Sequence, residues 1–273
     1  MKTSIIIHGH FYQPPRENPY TGILDNQESA KPFANWNEAV YRTCYLPNAY
    51  SRYLSPYGKI TNIYNNYSSI SANFGPTLLN WIDTAHPYFI NKLKEADSIS
   101  ISNTGHSNFL AQCYNHAILP LETRRNKTLQ VKWAIEDYKY RFGHEPEGLW
   151  LGECAIDKET VDVLGENNIK FVVLSPWQGT SIDGKSLNGK PAPCNRAFII
   201  EGFEKSISAF FYDPDLASGI SFGHFLRDAD DLYGKIKNIR KERNNPKLIH
   251  WATDGEIYGH HEPYGDMALA ALI

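Results

Sequence analysis

Two acidic side chains stand at the ends of short apolar runs, where the ends of different strands could bring two carboxylates together. Glu153 comes directly after the run in "GLWLGECAID", and Asp254 ends the run in "IHWATDGE". Retaining cleavage of a glycosidic bond uses one carboxylate as nucleophile and one carboxylic acid to protonate the leaving oxygen. The pair therefore predicts glycoside chemistry, with Glu153 as the nucleophile and Asp254 as the acid/base.

Polar and aromatic side chains also follow the other apolar runs. The first run, Ser4–Ile7, has the composition of a strand buried on both faces, and it leads into "HGHFYQPP". Six Trp, 17 Tyr and 13 Phe exceed what a core of this size needs, so part of them should line a cleft. Imidazole and amide groups can hold sugar hydroxyls, while aromatic rings stack on sugar faces. The expected substrate-binding residues are His8, His10, Gln13, His106, Trp150, Trp177, Asp213, Glu256, His260 and His261.

Strand-like runs alternate with helical patterns along the chain. Helices are predicted at Leu121–Phe142 and from about His224 to Arg243, and Asp157 is predicted to cap a shorter helix. This alternation indicates a parallel sheet. With about seven strands in one domain we expect an α/β fold, an incomplete barrel related to the (β/α)₈ type, with an open doubly wound sheet as the alternative. The predicted strands are Ser4–His8, Ile60–Tyr64, Ile99–Ser102, Gly148–Leu151, Lys170–Leu174, Ser208–Tyr212 and Lys247–Ala252.

The barrel interpretation explains why the polar residues belong together. In a parallel α/β barrel the carboxyl ends of all strands share one face, and active sites form there. We expect residues 1–273 to form a single barrel domain, with Gln178–Asn195 as a loop excursion. The chain stops within an apparent helix start, "GDMALAALI", so we expect a fragment of a longer protein.

Composition excludes several classes of partner. A net charge of −3 gives no reason to expect nucleic acid or an anionic membrane surface. The apolar runs are shorter than the ~18 residues that span a bilayer. The four cysteines are widely spaced, as is typical of reduced cytoplasmic thiols, and the amino-terminal run is too short for a signal peptide. We expect a cytoplasmic protein without a cofactor.

Two stretches that hold the carboxylates resemble the motifs of glycoside hydrolase family 57. The family's Trp-Leu-x-Glu motif, whose Glu is the nucleophile, is met by "WLGE" ending at Glu153. Its Asp-Gly-Glu-x-aromatic-Gly-x-His motif, whose Asp is the acid/base, is met by "DGEIYGHH". The resemblance carries family roles onto Asp254, Glu256 and His261, with His260 adjacent.

The two other motifs match less closely. The family's His-Gln-Pro motif is approximated by "HGHFYQPP", where Phe11 and Tyr12 separate His10 from Gln13. Its second motif is matched loosely by Gly105-His106. The resemblance spans residue 4 to about residue 265. It implies an incomplete (β/α)₇ barrel of the TIM type. It also implies a retaining hydrolase or transglycosylase that acts on α-linked glucans or oligosaccharides.

Two other functions remain open from the residues. His8, His10, Asp254, His260 and His261 could form a zinc site, as in barrels of the polysaccharide deacetylase and α-mannosidase types. The chain lacks the adjacent aspartates and His-x-x-x-His of the former, and it has His-x-His where the latter expects His-x-Asp. We therefore expect no metal. The second alternative is a non-catalytic carbohydrate-binding module.

Some of the predicted site residues also have structural interpretations. Asp213 could form a plain turn before Pro214, and His8 could satisfy a backbone carbonyl. Trp150 and Trp177 could belong to the core.

Overall fold

The computed structural model describes residues 3–273 of the chain. Its strands are β1 (Ser4–Phe11), β2 (Ser51–Leu54), β3 (Ile60–Tyr64), β4 (Ser71–Phe74), β5 (Phe109–Gln112), β6 (Leu149–Trp150), β7 (Phe171–Leu174), β8 (Ser181–Ile182), β9 (Lys185–Ser186), β10 (Ala197–Glu201), β11 (Ser206–Phe211) and β12 (Leu248–Asp254). Its α-helices are α1 (Trp36–Val40), α2 (Leu46–Ala49), α3 (Pro76–Ala85), α4 (Pro87–Thr104), α5 (Arg124–Phe142), α6 (Lys158–Glu166), α7 (Pro214–Phe222), α8 (Ala229–Glu242) and α9 (Gly265–Leu272).

Within residues 3–273, seven parallel strands form a barrel in the order β12, β1, β4, β5, β6, β7 and β11. Strands β6 and β7 meet at a bridge between Gly148 and Phe171. The Asp213 amide, just after β11, donates to the His250 carbonyl of β12 at 2.8 Å, while antiparallel β10 lines the other edge of β11. The prediction of an incomplete seven-stranded barrel is confirmed, and the open doubly wound alternative is excluded.

Strand β1 is buried along only part of its length, which corrects the expectation from its sequence. Ser4, Ile5 and Ile6 are exposed, and burial begins at Ile7. The reason lies in the pairing: β12 runs beside β1 from Ser4, but β4 joins its other edge only from His8 onward. The buried half of the strand is therefore the half that carries the histidines.

Two predicted strands are not strands of the barrel. Ile60–Tyr64 is extended, but it pairs antiparallel with β2 in a hairpin outside the barrel. Ile99–Ser102 lies inside helix α4, where Ile99 and Ile101 are partly exposed and Gly105, at φ 80°, ends the helix. The barrel uses the four-residue strands β4 and β5 instead, whose mixed sequences "SANF" and "FLAQ" gave a weaker strand signal.

The predicted helices are confirmed with small changes at their ends. Thr123 caps the start of α5 through a hydrogen bond from the Asn126 amide, and Gly143 at φ 81° ends the helix. The predicted cap Asp157 accepts from the Thr160 amide at the start of α6. Helix α8 begins later than expected because Asp228 supplies its cap.

The segment between β7 and β11 leaves the barrel, as predicted for Gln178–Asn195. It contains the short β8–β9 hairpin and then β10, which pairs with β11. In the part of the chain that the structure describes, no helix is long and apolar enough to cross a membrane. All four cysteines carry free thiols, and Cys154 and Cys194 are half-buried.

Candidate active site

The carboxyl ends of the barrel strands bring most of the predicted site residues to one face. Pairing between strands places His10 opposite both Asp254 on β12 and Asn73 on β4. Gln112 at the end of β5 pairs with Trp150 at the end of β6. These residues form a ring at the carboxyl-terminal end of the barrel strands, where α/β barrels have their active sites.

A strained turn presents Glu153. The residue lies in a 3₁₀ turn directly after β6 with φ 53° and ψ 23°, and its side chain is exposed. A non-glycine residue in this left-handed region costs about 1–3 kcal/mol, so the surrounding packing must hold the backbone in this conformation. Gly152 makes the turn possible, since a Cβ there would lie 2.6 Å from the Ala117 carbonyl oxygen and 2.7 Å from that of His116. The close approach places the Glu153 turn against the loop that carries His116.

Asp254 ends β12 with its carboxyl open to the cleft. Partial burial raises the pKa of Asp254, and the negative charge of Glu153 raises it further. A positive charge on His261 or His116 lowers the pKa of Asp254. The geometry agrees: His10 lies opposite Asp254 and 3.1 Å from His116, and the Glu153 turn packs against the loop of His116.

Glu256 and Gln13 also lie together, but beneath the surface of the site. The Tyr45 hydroxyl donates to Glu256 Oε1 at 2.7 Å, and Gln13 Nε2 donates to the same oxygen at 3.4 Å. Arg16 in turn donates to Gln13 Oε1 at 3.0 Å. Burial raises the pKa of Glu256 to about 7, and the charge of Asp254 contributes to that rise. Both residues therefore support the loop behind Asp254 through contacts within the protein.

His8 and His10 line the barrel interior under the Trp150 ring. Trp150 stacks on His8 with ring centroids 4.9 Å apart and on His10 at 4.8 Å. Burial lowers the pKa of His8 to about 4 and that of His10 to about 3, so both rings are neutral at neutral pH. The His8 side chain bonds to Ser71 Oγ and Asn73 Oδ1, not to a backbone carbonyl.

His116 belongs to the site, although the sequence analysis missed it. Its ring stacks on Tyr12 with centroids 4.1 Å apart, and its Nε2 lies 3.1 Å from Nε2 of His10. Burial lowers the pKa of His116, against the charges of Glu153 and Asp254, which raise it. The signal was its place four residues after β5, which becomes visible once "FLAQ" is recognised as a barrel strand.

A cleft of about 350 Å³ runs from Asp254 between α7 and the turn after β7. Its aromatic lining residues include Trp150, Trp177, Tyr212 and Phe222. Trp177 is 62% exposed and Phe222 is 83% exposed, so both are available at the rim. Exposed rings beside a carboxyl pair suit the binding of sugar rings.

Two predicted residues lie elsewhere or are used for structure. His106 precedes β5, at the opposite end of the barrel, where its exposed ring contacts Glu147 at 2.7 Å. Its assignment to the site is wrong because the strand expected before it is helical. Asp213 is buried; its Oδ1 caps α7 and its Oδ2 accepts from Arg243, so the structure gives it a structural role.

The two histidines after Asp254 differ in their surroundings. Nδ1 of the half-buried His260 lies 2.8 Å from Thr43 Oγ1, and Trp36 packs edge-on against the ring. Burial lowers the pKa of His260. His261 is exposed and acts electrostatically on Asp254. His260 therefore lies on the side formed by α1.

The donors expected for a zinc site do not converge. Across residues 3–273, no three His, Cys, Asp or Glu side chains are placed to hold a metal ion. His8 and His10 direct their ring nitrogens at Ser71, Asn73 and His116, which occupy the positions that a metal would need.

The fold and the site define a (β/α)₇-barrel protein with a carboxyl pair at the carboxyl ends of its strands. Residues 6–272 match the sequence profile of Glycosyl hydrolase family 57, and the chain belongs to that family.

Named relatives agree with this assignment. The chain is 23% identical to an α-amylase of Pyrococcus abyssi over 245 residues, which cover 90% of this chain and 33% of the relative. It is 30% identical to α-amylase 1 of Dictyoglomus thermophilum over 106 residues, 38% of this chain and 15% of that protein. The crystal structure of 4-α-glucanotransferase from Thermococcus litoralis matches with a TM-score of 0.68 at 18% identity, covering 100% of this chain and 37% of that one. The chain thus spans well under half the length of these relatives.

Proposed function

We propose that this chain is the catalytic barrel of a retaining glycoside hydrolase or transglycosylase that acts on α-linked glucans or oligosaccharides. The supporting observation is the carboxyl pair: Glu153 and Asp254 follow separate barrel strands on one face, and the charge of Glu153 raises the pKa of Asp254. Membership of the family and the α-amylase and 4-α-glucanotransferase names of its relatives support the substrate class.

In the first step, Glu153 attacks the anomeric carbon of the bound sugar. Asp254 gives its proton to the glycosidic oxygen as the carbon–oxygen bond breaks, and a glycosyl ester forms on Glu153. In the second step, ionised Asp254 takes a proton from water or from an acceptor hydroxyl. That oxygen attacks the anomeric carbon, the ester bond breaks, and the Glu153 carboxylate is restored.

The coupled charges suit both steps. While Glu153 is ionised, its charge helps to keep the proton on Asp254, which is the acid form that the first step needs. Forming the ester removes that charge, so the pKa of Asp254 falls and the ionised base is favoured for the second step. One pair of side chains thereby serves as acid and then as base.

Substrate contacts follow from the cleft and the rings around it. We assign sugar stacking to Trp177 at the exposed rim and hydroxyl contacts to His116 and His261 beside the carboxyls. His10 and Trp150, being almost fully buried, form the floor beneath these contacts.

The replacement Glu153→Gln tests this proposal. We expect kcat on maltooligosaccharides to fall at least ~1,000-fold, since the amide cannot form the glycosyl ester. Glu201→Gln, which changes an exposed carboxyl on β10, is the matched control and should leave kcat unchanged. Wild-type kcat in the Glu153→Gln variant would overturn the proposal.

A further inference from the structure

A continuous chain of buried polar side chains runs through the barrel interior. Ser71 Oγ lies 2.9 Å from His8 Nδ1, and His8 Nε2 lies 3.0 Å from Asn73 Oδ1. Asn73 Nδ2 lies 2.9 Å from His10 Nδ1, and His10 Nε2 lies 3.1 Å from His116 Nε2. Asn73 is 0% exposed, so its partners are these side chains and not the substrate.

The Asn73 amide determines which groups donate and which accept in this series of hydrogen bonds. Its Nδ2 has hydrogens only to donate, and it donates to Gln112 Oε1 at 2.6 Å as well as to His10 Nδ1. Its Oδ1 is the acceptor for His8 Nε2 and lies farther, 3.3 Å, from His10 Nδ1. A neutral imidazole has one donor and one acceptor nitrogen. Because His10 Nδ1 accepts, the proton of that ring is on Nε2.

The same donor-to-acceptor order extends from His10 to His116 at the surface of the site. His10 Nε2 donates to His116 Nε2, so the proton of a neutral His116 ring is on Nδ1. Burial lowers the pKa of all three imidazoles, which keeps the rings neutral at neutral pH. The charged or titratable groups that face them are His250 near His8, and Glu153 and Asp254 near His116.

The neutral state matters for the carboxyl pair. A positive charge on His116 lowers the pKa of Asp254, and so it would remove the proton that the first step of the proposed reaction needs. Two rings whose Nε2 atoms meet at 3.1 Å can share one proton between those atoms, but they cannot both be protonated there.

We propose that Asn73 is a positioning residue that fixes the tautomers of His10 and His116 and so keeps an uncharged imidazole beside Glu153 and Asp254. The catalytic consequence rests on the proposed function; the tautomers do not. Asn73 acts through the two rings and touches neither the substrate nor the carboxyls.

The direct test is ¹⁵N NMR of the imidazoles in the wild-type protein at pH 7. We expect His10 as the Nε2–H tautomer and His116 as the Nδ1–H tautomer. His10 found as the Nδ1–H tautomer, or as a cation, overturns the proposal. This measurement needs neither a variant nor activity.

The variant Asn73→Asp tests the role of the amide. A carboxylate can only accept, so His10 must turn its proton to Nδ1 or become charged. We expect kcat to fall at least ~10-fold with KM within about twofold, because a catalytic site that needs one imidazole tautomer loses kcat when the group that fixes it is replaced. The alkaline limb of the kcat profile should move, because the charge of the His10–His116 pair acts on the ionisation of Asp254.

Asn66→Asp is the matched control, since Asn66 is equally buried and donates to Asn48 and to the Asp266 carbonyl, away from the imidazoles. It should destabilise the fold without altering the imidazole spectra or the pH profile. Unchanged His10 tautomers in Asn73→Asp, or the same pH shift in Asn66→Asp, overturns the proposal. If Glu153→Gln stays active while the wild-type tautomers are as expected, the reaction assignment fails and the tautomer assignment stands.

Discussion

Glu256 makes stability depend on pH in a way that one isosteric replacement can isolate. Both side-chain hydrogen bonds to this residue, from Tyr45 and Gln13, end on Oε1. In Glu256→Gln the amide oxygen can keep both of these bonds, so the replacement removes the charge and little else. The buried site, 8% exposed, disfavours the ionised form of the native carboxyl.

The magnitude follows from the rise in pKa. Burial raises the pKa of Glu256 from 4.5 to about 7. At about 1.36 kcal/mol per pKa unit, ionising this group in the folded state costs roughly 3 kcal/mol. Since the folded state binds the proton more tightly than the unfolded chain, the contribution is favourable below pH 4.5 and is lost as pH rises to about 7.

The assay is urea unfolding of the wild-type protein and the Glu256→Gln variant between pH 4 and pH 8. The difference in free energy of unfolding should shift by roughly 3 kcal/mol in favour of the variant across this range. Other titrating groups cancel in the difference, because both proteins carry them. Glu201→Gln, at an exposed position, controls for the loss of a glutamate side chain as such. The same pH dependence in both variants, or a flat difference for Glu256→Gln, would refute the reasoning.

Three further outcomes test the site and its supports. Trp177→Ala should raise KM for long α-glucans about 10-fold or more by removing a stacking surface, while Trp133→Ala on α5 leaves KM unchanged in the same assay. Gly152→Ala should lower stability by about 1–3 kcal/mol and reduce kcat, because the added Cβ meets the Ala117 carbonyl oxygen at 2.6 Å; unchanged melting and kcat would contradict this. His106→Ala should retain full kcat, and a large loss would show that the amino end of the barrel takes part in the reaction.

Much of the site could be predicted because its acidic and aromatic residues stand at or just after the ends of recognisable apolar runs. Trp150 and Asp254 end β6 and β12, which formed from two strongly apolar runs, and Glu153 lies in the turn just after β6. The motif matches placed the carboxyls in the same region of the fold. Helix α5 was predictable because its buried residues recur at helical spacing.

The missed elements share a physical cause. Strands β4 and β5 each have four residues and direct Asn73 and Gln112 into a polar barrel interior, so neither shows an apolar run longer than three residues. The β-branched residues Ile99 and Ile101 suggested a strand, but they lie on the partly exposed face of a long helix, where tertiary context overrides propensity. Because β5 was not predicted as a strand, His116 was not recognised as a residue near a strand end.

Other features could not be read from residue types at all. The left-handed backbone at Glu153 depends on how the Gly152 turn packs against the loop at Ala117, which is a contact between distant parts of the chain. The structural role of Asp213 depends likewise on Arg243, which lies 30 residues away along the sequence.

The central claim is that Glu153 forms a covalent bond to the sugar. The most direct measurement is the mass of the protein after reaction with an activated α-glucosyl fluoride in the Asp254→Asn variant, which slows breakdown of the ester. We predict one added glucosyl unit on the peptide that contains Glu153, and none when Glu153→Gln is added. A glucosyl group on another residue, or turnover with no adduct and inverted product configuration, would contradict the account.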